Sequence, residues 1–178
     1  MKFHKPHGFS FILIALILLG FGLPKDIHKR VTKEIEKTFE SSTIEMRPIV
    51  IQDEINDKLP LKITGDNLYT LSEGTELKGY AFVDKAPSKT AQFDYLVIFD
   101  QDLKVIHSKV LVYREEYGGE IGSKRWLKQF LGKTGNDRVS YESNIDAISG
   151  ATISVRSMTL SMDKLFQTIG QLQENKVL

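Results

Sequence analysis

The apolar residues follow three different rhythms along the chain. Phe9 to Leu23 is an unbroken run without a charge. Beyond it, Ile27, Val31, Ile35 and Phe39 recur every four residues with Lys29, Lys33, Glu34, Glu36 and Lys37 on other faces, which predicts an amphipathic helix over 26–40. Three segments, Leu77 to Val83, Phe93 to Phe99 and Val105 to Tyr113, are rich in Val, Ile, Phe and Tyr and predict strands. The last two are joined by Asp100 to Lys104, a short polar hairpin loop. In the middle strand Phe93, Tyr95, Val97 and Phe99 share one face, and Asp94, Leu96 and Ile98 the other, so its end is expected to be buried on both sides. Finally, Val155, Met158, Met162, Leu165, Ile169 and Leu172 recur at alternating steps of three and four and predict a long helix that begins at or near Thr152.

Shorter signals fill the gaps. Arg47 to Ile51 reads as a short strand, Asp53 to Leu59 as a helical turn and Asp66 to Leu71 as a strand or loop. Ser123 can cap a short helix whose Trp126, Leu127, Phe130 and Leu131 face inward, with Trp126 as a core anchor. Together these predict an α+β fold, an antiparallel sheet packed with helices on one side and preceded by an N-terminal membrane helix. The expected division is 1–24 as a signal-anchor or signal peptide, 25–76 as an amphipathic helix and mixed segment packing on the core, and 77–178 as the functional domain. A chain of 178 residues suits one cored domain with an appendage.

The first rhythm bears on compartment. Phe9 to Leu23 follows Lys2 and Lys5 and precedes Pro24 and Lys25. As a helix it would cover roughly 22 Å at about 1.5 Å per residue, against a hydrocarbon core of roughly 30 Å. Thinning of the bilayer and snorkelling of the flanking lysines would let it serve as an anchor. Its length also fits a cleaved signal, with Gly20 and Gly22 as small residues near its end. Under either reading the leading charges keep the N-terminus inside and send the body out, so the C-terminal domain is expected to be extracytoplasmic, held at the cell membrane or exported to the periplasm.

Charge and cysteine remove several classes of function. The chain has 24 basic and 23 acidic residues, and without Lys2 and Lys5 the body carries 22 against 23. So balanced a surface gives no footprint for nucleic acid. The absence of cysteine excludes disulfides, thiolate metal sites and iron–sulfur ligation. Gly132-Lys133-Thr134 resembles the end of a P-loop, but Leu127 stands where that motif needs its first glycine. Gly118-Gly119-Glu120-Ile121-Gly122 lacks dinucleotide-fingerprint spacing. His4, His7, His28 and His107 show no metal-ligand spacing, so no metal site and no catalytic triad is expected.

What remains is Asp146-Ala147-Ile148-Ser149-Gly150-Ala151-Thr152, directly ahead of the last helix. Ser149 or Ser154 can cap that helix, and its first-turn N–H groups can meet an anion. Gly150 and Ala151 are small enough to let a bulky group approach the Thr152 hydroxyl. Spacing alone favours a turn that only caps a core helix.

The stretch resembles the covalent flavinylation motif, Asp-x-x-Ser/Thr-Gly-Ala-Thr, of the FMN-binding domain family. That family includes subunits of the sodium-pumping NADH:quinone oxidoreductase and of Rnf-type electron-transport complexes. All fixed positions match, and the similarity runs from about Gly79 to Phe166. The resemblance implies that Thr152 carries FMN through a phosphoester. It also implies that Asp146, Ser149, Gly150 and Ala151 are recognised by a flavin transferase using FAD and a divalent metal. Related subunits carry a Glu-Thr-Pro-Gly-Leu-Gly loop near the flavin; here Glu116-Tyr117-Gly118-Gly119-Glu120-Ile121-Gly122 stands in its place without the Thr-Pro. By the same resemblance Tyr117 can stack on the ring, and Gly118 and Gly119 can give it backbone access. The implied function is an extracytoplasmic electron carrier tethered to the membrane, an electron-relay protein more than an enzyme with its own substrate. Its partners would be the flavin transferase and membrane or extracytoplasmic redox proteins. A non-covalent FMN reductase and a flavin-free interaction or sensor ectodomain are the alternatives.

Overall fold

The computed structural model describes residues 22–178. The apolar run from Phe9, and the membrane helix expected of it, therefore lie almost wholly outside the described residues. Among the described residues no helix is long and apolar enough to cross a membrane.

The strand at Gln92–Phe99 (β4) sets the layering. All of its residues from Phe93 to Phe99 are buried, and only a central strand covered on both faces can carry such a run. It pairs antiparallel with Glu76–Pro87 (β3) and with Val105–Val112 (β5). Leu68–Glu73 (β2) and Glu45–Pro48 (β1) extend the sheet beyond β3, so the five antiparallel strands lie in chain order, β1-β2-β3-β4-β5. Thus 25–76 contributes α1 and two strands to the sheet that 77–178 completes.

Each face is closed by one long helix. The first helix, Lys25–Phe39 (α1), buries Ile27, Val31 and Ile35 against Leu71, Ala81, Val83, Leu96, Ile98 and Leu111. The last helix, Thr152–Glu174 (α4), buries Val155, Met158, Met162, Leu165, Ile169 and Leu172 against Phe82, Phe93, Tyr95 and Val97 on the other face. Helices therefore cover both faces, where the sequence predicted one. The cause is the alternation in β3 and β4: Ala81, Val83, Leu96 and Ile98 are as apolar as Tyr80, Phe82, Tyr95 and Val97, so each face must be covered.

The amphipathic helix and the three main strands form where the sequence predicts them. β3 runs on to Pro87 because Ala86 is still buried and pairs with Phe93. The short strand expected at Arg47 to Ile51 lies earlier. Its ladder ends at Pro48, which has no N–H to donate, and Val50 is 83% exposed ahead of the short helix Asp53–Asn56 (α2). The helix Lys124–Leu127 (α3) starts as expected, with Ser123 Oγ accepting from Trp126 N at 3.3 Å. Trp126, Leu127 and Phe130 are buried; Leu131, expected inside, is 46% exposed because the chain leaves the helix at that residue.

The long loop between α3 and α4 is fastened to α4. Asp163 accepts from Arg138 Nε at 2.8 Å, Arg138 Nη2 at 2.7 Å and Val139 N at 3.1 Å. Further along, the loop backbone at Gly135 lies against Gly170: a Cβ on Gly170 would stand 2.8 Å from Gly135 O, and one on Gly135 2.5 Å from Gly170 N. This contact reverses an ordinary rule. Gly→Ala inside a helix normally gains about 1 kcal/mol, whereas overpacking against backbone costs about 1–3 kcal/mol. Gly170→Ala is therefore expected to destabilise the protein, seen as a lower urea midpoint with an unchanged slope.

Candidate functional site

The site lies where the end of β5 meets the start of α4. After Val112 the chain makes a tight excursion through Tyr113 to Gly118 and enters a 3-10 turn at Gly119–Gly122. Gly118 has φ +81°, and a Cβ there would stand 2.9 Å from Ala151 Cβ and 3.0 Å from Tyr113 Oη. The glycine loop and the Ser-Gly-Ala-Thr turn are thus pressed together, and Gly118 has no room for a side chain. Tyr113 locks the contact. Its hydroxyl donates to Tyr117 O at 3.1 Å and stands 3.0 Å from Ser154 Oγ, so the Ser154 hydroxyl is left to donate to it.

The small residues have structural roles as well. Ala151 is buried, only 4% exposed, and is small because Gly118 packs on it. Gly150 is exposed with open space around it, and its φ of +79° is the reason for glycine there.

Thr152 is the first residue of α4 and is exposed. Neither serine caps the helix: the N-cap is Ala151, which has no side chain to accept a bond. Ser154 instead sits inside the first turn, buried against Tyr113. Nor does the first turn contain an acid, the usual complement to a helix N-terminus. The early N–H groups of a 23-residue helix are therefore left for an external acceptor.

These residues border a cleft of about 910 Å³, within the range of small-molecule sites of ~300–1,000 Å³. Tyr117, Gly150, Ala151 and Thr152 line it together with Lys89, Thr90, Tyr113, Arg114, Glu115, Glu116, Ile153 and Ser154. Asp146 and Ser149, both exposed, border a separate cleft of about 350 Å³ with Glu120, Ser123, Arg125 and Trp126. The motif forms the ridge between the two clefts. Its first residue is pinned by the backbone, with Trp126 Nε1 donating to Asp146 O at 2.7 Å and Asp146 N donating to Gln129 Oε1 at 2.8 Å. Gly119 is exposed and lines neither cleft.

Two walls of the larger cleft escaped the sequence reading. Glu115 gathers the β3–β4 loop: its carboxylate accepts from Ser88 Oγ and Thr90 N at 2.6 Å, Thr90 Oγ1 at 2.8 Å and Ala91 N at 3.1 Å. These bonds, the Ser88 hydroxyl first, hold its pKa down at about 2. Arg114 donates to Gln92 O at 2.7 Å and brings Nη2 within 2.5 Å of Asp94 Oδ2. The second contact is a charge pair at an angle outside hydrogen bonding, and Asp94 is the only charged residue in the buried run of β4. No local sequence pattern announces either link, because the partners lie twenty or more residues apart.

Residues 88–167 match the family model described as FMN-binding domain. That stretch belongs to the FMN-binding domain family. It begins at Ser88, bound by Glu115, ends within α4, and contains every residue lining the larger cleft. The match supports a flavin-binding protein with FMN as its cofactor. No curated protein is similar enough to the chain to count as a match.

The cleft fits that cofactor. Its volume accommodates a ring system of this size, and the uncapped first turn of α4 supplies donors for a phosphate.

Two measurements test how the walls are held. Tyr113→Phe removes the hydroxyl between Tyr117 O and buried Ser154, and is expected to cost about 1–2 kcal/mol in chemical denaturation. Glu115 has a pKa depressed on folding from 4.5 to about 2. Its contribution to stability is therefore complete above the unfolded value and is lost as the pH falls through that window. Glu115→Gln is expected to flatten the acid limb of the stability curve between these two values relative to wild type.

Proposed function

We propose that the protein is an extracytoplasmic, membrane-tethered electron carrier, with FMN joined to Thr152 as a phosphoester and electrons relayed between partner proteins. One observation carries the attachment: Thr152 is an exposed hydroxyl at the uncapped, acid-free start of a long helix, on the wall of a flavin-sized cleft. The match of Asp146, Ser149, Gly150, Ala151 and Thr152 to the flavinylation motif supports the same residue.

Attachment is a phosphoryl transfer carried out by a separate flavin transferase with FAD and a divalent metal. Thr152 Oγ1 attacks the phosphorus on the FMN side of the pyrophosphate. One Oγ1–P bond forms, the bond to the bridging oxygen breaks, AMP leaves with that oxygen, and the hydroxyl proton passes to a base of the transferase. The metal offsets charge on the phosphates. Asp146 and Ser149 stand exposed on the far side of the ridge, accessible to an enzyme that must grip the motif.

Once in place, the flavin supplies the redox chemistry and the protein supplies position and field. The first-turn N–H groups and the positive end of the α4 dipole face the remaining negative charge of the phosphodiester. The loop around Tyr117 and the Glu115-bound Lys89–Thr90 turn border the ring's space. A covalent bond also keeps the cofactor at high effective concentration, which matters outside the cytoplasm, where a lost flavin is not replaced. The Phe9 to Leu23 run, charged on its N-terminal side, supports the tether and the orientation.

The test is to express the chain with and without a flavin transferase in an exporting host, denature it, and read flavin fluorescence and intact mass. Flavin that stays with the denatured chain in wild type and disappears in Thr152→Ala is the expected result. Flavin released on denaturation would overturn the ester. The same mass reports whether residues 1–24 remain.

A further inference from the structure

Large apolar side chains left in water call for an explanation when they gather at a cleft. Tyr117 is 79% exposed and Ile153 is 51% exposed, and both line the larger cleft. Neither is exposed through looseness of its backbone. Tyr117 O is held by the Tyr113 hydroxyl and is followed by Gly118, which is pressed on Ala151. Ile153 is the second residue of α4, whose first turn is anchored by buried Ser154 and Val155. The fold thus holds the backbone under two bulky apolar groups while leaving much of each side chain exposed in the cleft.

Chemistry and reach select what fills the gap. A ring system with two apolar faces is matched by an aromatic side chain on one side and a branched aliphatic one on the other. Ile153 directly follows Thr152, so a group esterified there has one of the two within the span of a short tether. We propose that the isoalloxazine ring lies between the Tyr117 ring and the Ile153 side chain, with Ile153 as the second jaw of the flavin site. This rests on the attachment of FMN to Thr152. Ile153 contributes shape and exclusion of water, and Tyr117 contributes a stacking face whose electron-rich phenol quenches the excited flavin.

The full chain is matured with the transferase as wild type, Tyr117→Leu, Ile153→Ser and Leu131→Ser, and intact mass establishes that each carries FMN. Leu131 is an exposed apolar residue of another groove and serves as the control. Emission and fluorescence anisotropy of the bound flavin are then read. The expected result is several-fold brighter emission in Tyr117→Leu, lower anisotropy in Ile153→Ser, and wild-type values in Leu131→Ser. Loaded protein in which neither jaw variant changes overturns the sandwich while leaving the carrier intact. A change in Tyr117→Leu alone, or an equal change in Leu131→Ser, overturns the role of Ile153. A wild-type chain that gains no FMN mass overturns the carrier and the sandwich together.

Discussion

A left-handed glycine pressed against an alanine sets the geometry of the site. With Gly118 at φ +81° and no room for a Cβ against Ala151, the loop after β5 and the turn before α4 approach this closely only with glycine at 118. Tyr113 then ties the same two segments together through Tyr117 O and Ser154 Oγ. The position of Tyr117, the buried first turn of α4 and the exposure of Thr152 all follow from that contact. Ala151 in the motif therefore has a packing partner in Gly118.

The rest of the fold brings the contact to a fixed place. β4 is buried from Phe93 to Phe99 and needs a helix on each face; α1 covers one, and α4 covers the other with ten buried residues. The loop before α4 is drawn in by Asp163, by the Gly135–Gly170 approach and by the Trp126 indole on Asp146 O. Glu115 draws in the opposite wall with its bonds to Ser88, Thr90 and Ala91. Local geometry around the cleft is thus specified largely by side-chain to backbone bonds, which suits a region with little regular structure of its own.

Periodicity made the scaffold legible. The stripe from Val155 to Leu172 and the apolar run of β4 each correspond to one physical requirement, burial, which sequence spacing reports directly. Fixed spacing likewise made the motif legible, and the family match over 88–167 agrees with it. What the sequence could not supply was long-range pairing. Nothing near Glu115 indicates that its carboxylate will meet a loop 25 residues earlier, and nothing near Asp94 indicates a guanidinium beside it. Single-residue exposure was hidden for a related reason. Leu131 looks like a core residue in a helical pattern, yet it stands where the chain leaves the helix. Covering both sheet faces was implicit in the apolar content of both sides of β3 and β4.

The burial of α4 has a consequence for how such a carrier would work. Proteins that pass a group between distant sites often mount it on a flexible arm, and the arm does the travelling. Here the residue proposed to hold the flavin begins a helix that also closes one face of the core, so it cannot swing without unpacking the first turn, where Ser154 and Val155 are buried. The cofactor would be a fixed terminal, moving only through the bonds of its own ribityl chain. Electron exchange in the proposed carrier would then depend on partners being brought within tunnelling distance of the cleft mouth, so the freedom for those encounters would have to come from movement of the whole domain.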